Sequence, residues 1–344
     1  PPLEAAGIFQ LLDRVAGTHF FDPYMGGSVL LYQHLFWFLA HPEVYVLILP
    51  ALGIVAEVIA NNIRKPLWGY KSMVYSSVWL GFMSFIVWAH HMFLTGMGTT
   101  MSSFFMITTM IISIPSVIIL SSLFLSLWGG SIRFNTPMLF ALSFLPMFGI
   151  GGLTGLPLGL ATADIHLHDT YYVIGHFHYV VAPGTIFAIF AGIYFWFPKI
   201  TGKTMNEILG KIHFYGSFVC MNGIFMPMFL QGLTGLSRRM ANGGYDYAHA
   251  KDVLYLNEIM SISAFALFVF QLFFIFNFFW TIFRKKYETE SDTNPWKATT
   301  IEWTETTSPP LGHGNFEVIP KVYRGPYEYS VEGHSKDYYP QTEE

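Results

Sequence analysis

Seven apolar runs, each long enough to cross a bilayer, constrain this chain more than any other feature. They lie near residues 30–59, 72–96, 103–128, 136–161, 171–198, 207–235 and 254–283, joined by short loops. About 20 consecutive apolar residues span the hydrocarbon core as a helix. The expected fold class is therefore all-α, a polytopic membrane helix bundle with seven transmembrane helices. Composition agrees: 53% of the 344 residues are hydrophobic and 12% charged, with 34 Phe and 16 Met, a balance wrong for a soluble domain. A net charge of −4 argues against nucleic acid as a partner. The single cysteine, Cys220, excludes an internal disulfide and reads as buried packing. The opening "PPLEAAGIFQLLDR" has no basic region followed by an apolar core, so it is not a cleavable signal peptide. It also lacks an initiator Met, which suits a processed chain or a piece of a longer one. The chain divides into an outer-side segment (1–29), a transmembrane bundle (30–284) and a polar, acidic tail without a spanning run (285–344).

Lysine and arginine set the orientation. Arg64, Lys65, Lys71, Arg133, Lys199, Lys203, Lys211, Arg284, Lys285 and Lys286 sit at span ends on the side of the C-terminus. The opposite ends hold only Arg14, Arg238, Arg239 and Lys251. The positive-inside rule puts the tail in the cytoplasm or matrix and residue 1 outside. Arg238 and Arg239 break that rule as an adjacent pair. Contact with lipid headgroups would explain them, and so would an anionic ligand held at that level.

The first span contains "AHPEVYVLILP" at 40–50, which places a histidine, a proline, a glutamate and a tyrosine within five positions at membrane depth. Ionisable groups there are costly and usually functional. His41 lies about seven residues in from the outer end, roughly 10 Å deep. "WAHHMF" brings His90 and His91 to the outer end of the second span, and "LHDTYYVIGHFHYV" puts His168 and Asp169 at the mouth of the fifth, with His176 and His178 below. Six histidines thus share the outer third of the membrane on three antiparallel helices. That agreement in depth points to a metal site, since imidazole suits copper, iron and zinc.

Local spacing refines the expectation. His41 and Tyr45, four apart, share a helix face. His90 and His91 are about 100° apart on an ideal helix, so both can bind one ion only if the helix end is distorted. His176 and His178, about 200° apart, face opposite sides and suit two different cofactors. His19, His213, His313 and His334 are expected to be packing or surface residues.

"HPEVY", "WAHHMFLTGM", "GGLTGL", "LHDTYYVIGHFHYV" and "GLSRR" together resemble subunit I of the heme–copper oxidases of the cytochrome c oxidase type. The resemblance is colinear from about Phe36 to Arg239, and "NPWKATTIEWTETTSPPLGHGNF" at 294–316 is similar to the tails of bacterial members. It implies that His41, His90 and His91 ligate copper, with Tyr45 joined covalently to His41 and supplying a proton and an electron to O2. It implies that His176 is the axial ligand of a high-spin heme and His178 of a low-spin heme, both a-type. His168 and Asp169 would help to hold magnesium, Arg238 and Arg239 would bind heme propionates, and Glu43 would relay protons. Pro42 is expected to loosen the helix around them. The implied activity is reduction of O2 to water with electrons from cytochrome c, coupled to proton translocation. The implied partners are subunit II with its own copper, subunit III, cytochrome c and membrane lipids, in a bacterial plasma membrane. A mitochondrial inner membrane is the alternative. A quinol oxidase of the same superfamily is the neighbouring reading. A proton-coupled transporter would use Glu43 but leaves the histidines unexplained.

The chain departs from that family twice. The family has twelve spanning helices, and these seven match the last seven. The missing part, which would supply the second ligand of the low-spin heme, is expected on another chain or on the rest of a longer one. Second, a lysine expected in the third span, within a pattern like P-T-G-x-K, is replaced: the stretch is "PSVII", with Ser116 and Ile119 at the threonine and lysine positions. Ser116, Ser121, Ser122 and Glu57 are the candidates for another proton route, with Glu57 the favoured one.

Overall fold

The computed structural model describes residues 2–284, 294–311, 316 and 318–344. Lys285, Lys286, His313 and part of the tail motif at 294–316 lie outside the described residues. Helix α1 (Pro2–Val15) precedes the spans. Helix α2 (Val29–Ile63) starts where the Ser28 hydroxyl accepts the Leu31 N–H at 3.2 Å. It ends where Arg64 turns left-handed at φ 59°. Although Pro42 and Pro50 interrupt its hydrogen bonding, α2 runs unbroken. Helix α3 (Tyr70–Met83) continues as tighter 3-10 turns through Thr95. Then come α4 (Gly98–Leu127), α5 (Thr136–Leu158) and the short α6 (Ala161–Leu167). Helix α7 (Tyr171–Val180) passes through a π turn, Val181–Ile186, into α8 (Phe187–Thr201). Pro183 lies in that turn and has no N–H to give the regular ladder. Helices α9 (Glu207–Leu233) and α10 (Leu256–Phe283) complete seven spans long and apolar enough to cross a membrane, matching the seven runs of the sequence. Among the described residues no strand forms.

The core lies where α2, α5, α7 and α8 meet. Val55, Ile59, Phe140, Phe144, Tyr179, Phe187 and Phe195 are fully buried there. Helix α10 packs on α9 antiparallel and turns most of its surface outward. The α9–α10 seam is pinned by polar pairs along its length. Asn206 and Asn277 exchange two bonds of 2.8 and 2.9 Å, His213 faces Gln271 at 3.2 Å, and Gln231 donates to Asn257 at 2.8 Å. His213 is therefore a hydrogen-bonded packing residue, as expected. Cys220 is buried and free.

The tail is more than a polar appendage. Trp296 stacks on Phe195 at 5.8 Å and donates to its carbonyl at 2.7 Å. Trp196 donates to Glu302 at 2.8 Å, Lys199 to the Thr306 carbonyl at 2.9 Å and Arg133 to the Trp296 carbonyl at 2.6 Å. Tyr327 donates to Glu57, and Arg64 pairs with Asp337. The tail thus docks across one end of the bundle, opposite the end that carries the histidines. The short helix α11 (Ile301–Thr304) lies in this docked segment.

Candidate metal centre

The histidines converge because α2 and the end of α3 meet at one level. His41 is 6% exposed on α2. His90 and His91 stand on the 3-10 segment Trp88–Thr95, whose Met92 leaves helical geometry at φ −128°. Residues on a 3-10 turn are spaced about 120° apart rather than 100°. The distortion required for adjacent histidines to share one ion is therefore present. His41 Nδ1, His90 Nε2 and His91 Nε2 form a triangle with all three sides 3.1 Å. Bonds of about 2.0 Å from imidazole to a metal allow nitrogens up to roughly 3.5 Å apart around one ion, so the triangle fits one. Three like nitrogens turned inward also share too few protons to satisfy one another, and a cation relieves that.

Two of the three rings are held from behind. His90 Nδ1 meets Thr109 Oγ1 on α4 at 2.9 Å, and that hydroxyl also bonds the Phe105 carbonyl. Trp37 stacks on His91 at 3.8 Å, 13° from parallel. Tyr45 lies 4.9 Å from His41, centroid to centroid. His41 Nε2, buried on the side away from the triangle, has no hydrogen-bond partner.

His176 and His178 diverge as their spacing implies. His176 faces α5: its Nδ1 bonds the Gly151 carbonyl at 2.9 Å, which leaves Nε2 free to ligate. It lies within electrostatic reach of His41, His90 and His91. A Cβ on Gly155 would come within 2.7 Å of the His176 ring, so this glycine makes the space the imidazole uses. His178 turns to α9, stacked on Phe225 at 4.3 Å, with its Nδ1 on the Ile174 carbonyl at 2.9 Å. Two cofactors on two sides of α7 fit these orientations; a single shared ion does not.

Beyond the spans, His168 Nε2 stands 3.7 Å from Asp169 Oδ2, and its Nδ1 3.4 Å from the buried Asp164. The Asp164 contact holds the His168 imidazole's pKa above its usual range. Partial burial pushes the Asp169 carboxyl up, but Arg238, at 2.6 Å, together with His168 and Arg239, outweighs this and holds it low. Arg238 is thus brought to Asp169, while Arg239 is exposed with φ 65°. The Asp169 carboxylate at the rim is an oxygen donor of the kind that hard cations such as magnesium take. Glu43 is exposed in this chain, on the outer side of α2. Sequence reasoning missed Trp37, Thr109 and Asp164, and it held Gly155 within GGLTGL without its role. Only Trp37 and Asp164 left a signal, each four residues before a histidine already singled out.

The family model described as cytochrome C and quinol oxidase polypeptide I matches residues 1–266. Cytochrome c oxidase subunit 1 of Synechocystis sp. is 46% identical over 96% of this chain and 58% of its own length. The alternative cytochrome c oxidase subunit 1 of Bradyrhizobium diazoefficiens is 43% identical over 100% of this chain and 59% of its own. The chain therefore spans a little over half the length of these relatives. A heme–copper terminal oxidase dimer solved by cryo-EM shares the fold, with a TM-score of 0.67 at 21% identity over 75% of this chain and 50% of its own.

Proposed function

The chain belongs to the cytochrome c and quinol oxidase polypeptide I family, and from that premise we propose that it forms the catalytic part of a terminal oxidase. Electrons from cytochrome c, passed on by subunit II, would reduce O2 to water, with protons moved across a bacterial plasma membrane and the tail on the cytoplasmic side. Subunit III and membrane lipids complete its surroundings. The observation that carries the proposal is the part-buried 3.1 Å triangle of His41, His90 and His91, with His176 within electrostatic reach of all three.

In this reading the triangle holds copper, His176 the iron of a high-spin heme and His178 that of a low-spin heme, both a-type. Bound there, the copper and the high-spin heme iron would supply O2 with electrons at one place. Everything else falls to the chain. Thr109 and Trp37 fix the orientation of His90 and His91, as supporting groups around a metal do. Tyr45 keeps its phenol on the His41 side of α2, where it can give up a proton and an electron. The unpartnered His41 Nε2 supports a covalent bond between the two side chains. Arg238 and Arg239 offer donors for carboxylates at the rim, His168 and Asp169 part of a magnesium site. Glu43 passes protons on the face of α2 that the rest of the family fold would cover, and that part would also bring the second ligand of the low-spin heme.

The test is a reduced-minus-oxidised optical spectrum of the complex containing this chain, with and without carbon monoxide, followed by O2 uptake with reduced cytochrome c or a quinol. An a-type band with a CO-shifted component and turnover on cytochrome c is the expected result. Turnover on quinol alone would move the donor, and a complex without heme would refute the proposal.

A further inference from the structure

Glu57 is a carboxyl well inside a span to which the proposed function gives no role. Among the described residues, only Glu43 and Glu57 are carboxyl side chains more than two residues inside a span. Glu57 lies six residues before the end of α2, roughly 9 Å from it, and three turns or about 18 Å from Tyr45 on the same helix. Its Oε1 accepts from the hydroxyl of Tyr327, a tail residue 6% exposed whose N–H donates to Thr299 Oγ1 at 2.9 Å. Among the described residues no lysine or arginine forms an ion pair with Glu57, although the seam holds Lys199, Arg64 with Asp337, Glu302 and Tyr329.

The surroundings of this pair are short of partners. Asn61, one turn on from Glu57 and fully buried, has an Nδ2 with no protein partner. Thr300 Oγ1 and Trp303 Nε1, from the tail stretch beside Glu302, are buried without one as well. Buried donors are nearly always satisfied, by protein or by ordered water. Three of them at one seam between the tail and a membrane carboxyl call for bound water there. A purely structural tie would need no titratable group, since a glutamine accepts from a tyrosine equally well.

We propose that this seam is a proton-uptake port, in which Glu57 exchanges protons with the water on the tail side through Tyr327 and through water held by Asn61, Thr300 and Trp303. This rests on the oxidase reading, in which O2 reduction consumes protons at the histidine and tyrosine site. The step moves a proton only: Tyr327 gives its hydroxyl proton to the Glu57 carboxylate and takes one from water, with no change of oxidation state. Ile119, 1% exposed and apolar, carries nothing on the neighbouring α4.

The experiment uses the whole oxidase complex with Glu57→Gln and Tyr327→Phe. Proton uptake on reduction is followed with a pH indicator, and the carboxyl C=O stretch by redox-difference infrared spectroscopy. Glu57→Gln should slow uptake and turnover about a hundredfold and remove a carboxyl band, and Tyr327→Phe should slow uptake about tenfold and shift that band. In both, the CO spectrum should stay as in the parent. Uptake and bands equal to the parent in either assembled variant would overturn the port. Should Glu57→Gln fail to assemble, Tyr327→Phe decides alone. Failure of the oxidase reading would show separately, as a parent complex without a CO-shifted heme.

Discussion

At the scale of single residues, the centre depends on atoms that do no chemistry. Gly155 is the clearest case, because a methyl group there meets the His176 ring at 2.7 Å. Overpacking of this kind costs about 1–3 kcal/mol, and here the strain falls on the ring that must stay free to ligate. Gly155→Ala should therefore lower the CO-shifted heme component about tenfold, the effect typical of losing a ligand's support. The low-spin heme on the other side of α7 should remain. Equal loss of both hemes, read from the optical spectrum, would mean that the substitution harms the fold and not the ring. His41, His90 and His91 were legible in the sequence because their depth agreed, yet the triangle was not, since its closure needs the 3-10 turns that no local spacing announces. Thr109 was invisible, and Gly155 stood in the GGLTGL motif without a legible role, for a related reason: each acts through a contact across helices.

At the scale of elements, α10 raises a separate question of attachment. It presents most of its surface outward and is tied to α9 by polar pairs rather than by a deep apolar seam. Lipid is as apolar as the helix face, so such pairs and close packing must supply the association. Gln271 links His213 at 3.2 Å to Ser217 at 2.8 Å. Gln271→Leu leaves both groups buried without this partner and should cost about 0.6–2 kcal/mol. The thermal midpoint of the complex in detergent should fall, with the CO spectrum unchanged. A midpoint equal to the parent would show that packing alone holds α10. The seven spans themselves were readable from length and hydropathy. The π turn at Val181–Ile186 was not, although Pro183 lies in it, because a proline in a span can equally disturb the helix or leave it continuous, as Pro42 and Pro50 do in α2.

At the scale of the whole molecule, the fold has two ends with different work. One gathers six histidines and an arginine–aspartate pair; the other is closed by the docked tail, with Tyr327 reaching Glu57 from 270 positions away. Composition marked the tail as polar and non-spanning, but its docking rests on Trp296, Trp303 and Tyr327, side chains whose partners only the folded bundle supplies. Glu43 stands on an exposed face of α2, apart from both ends. The central claim is that one open copper site, on His41, His90 and His91, faces a heme iron on His176. Flash photolysis of the CO-bound, reduced complex at low temperature, followed in the infrared, tests that juxtaposition directly. Carbon monoxide released from the iron should move to a second band belonging to copper, and the band should vanish in His91→Ala while the iron-bound band persists. A photolysed complex in which no second band forms, with copper present by metal analysis, would contradict the account.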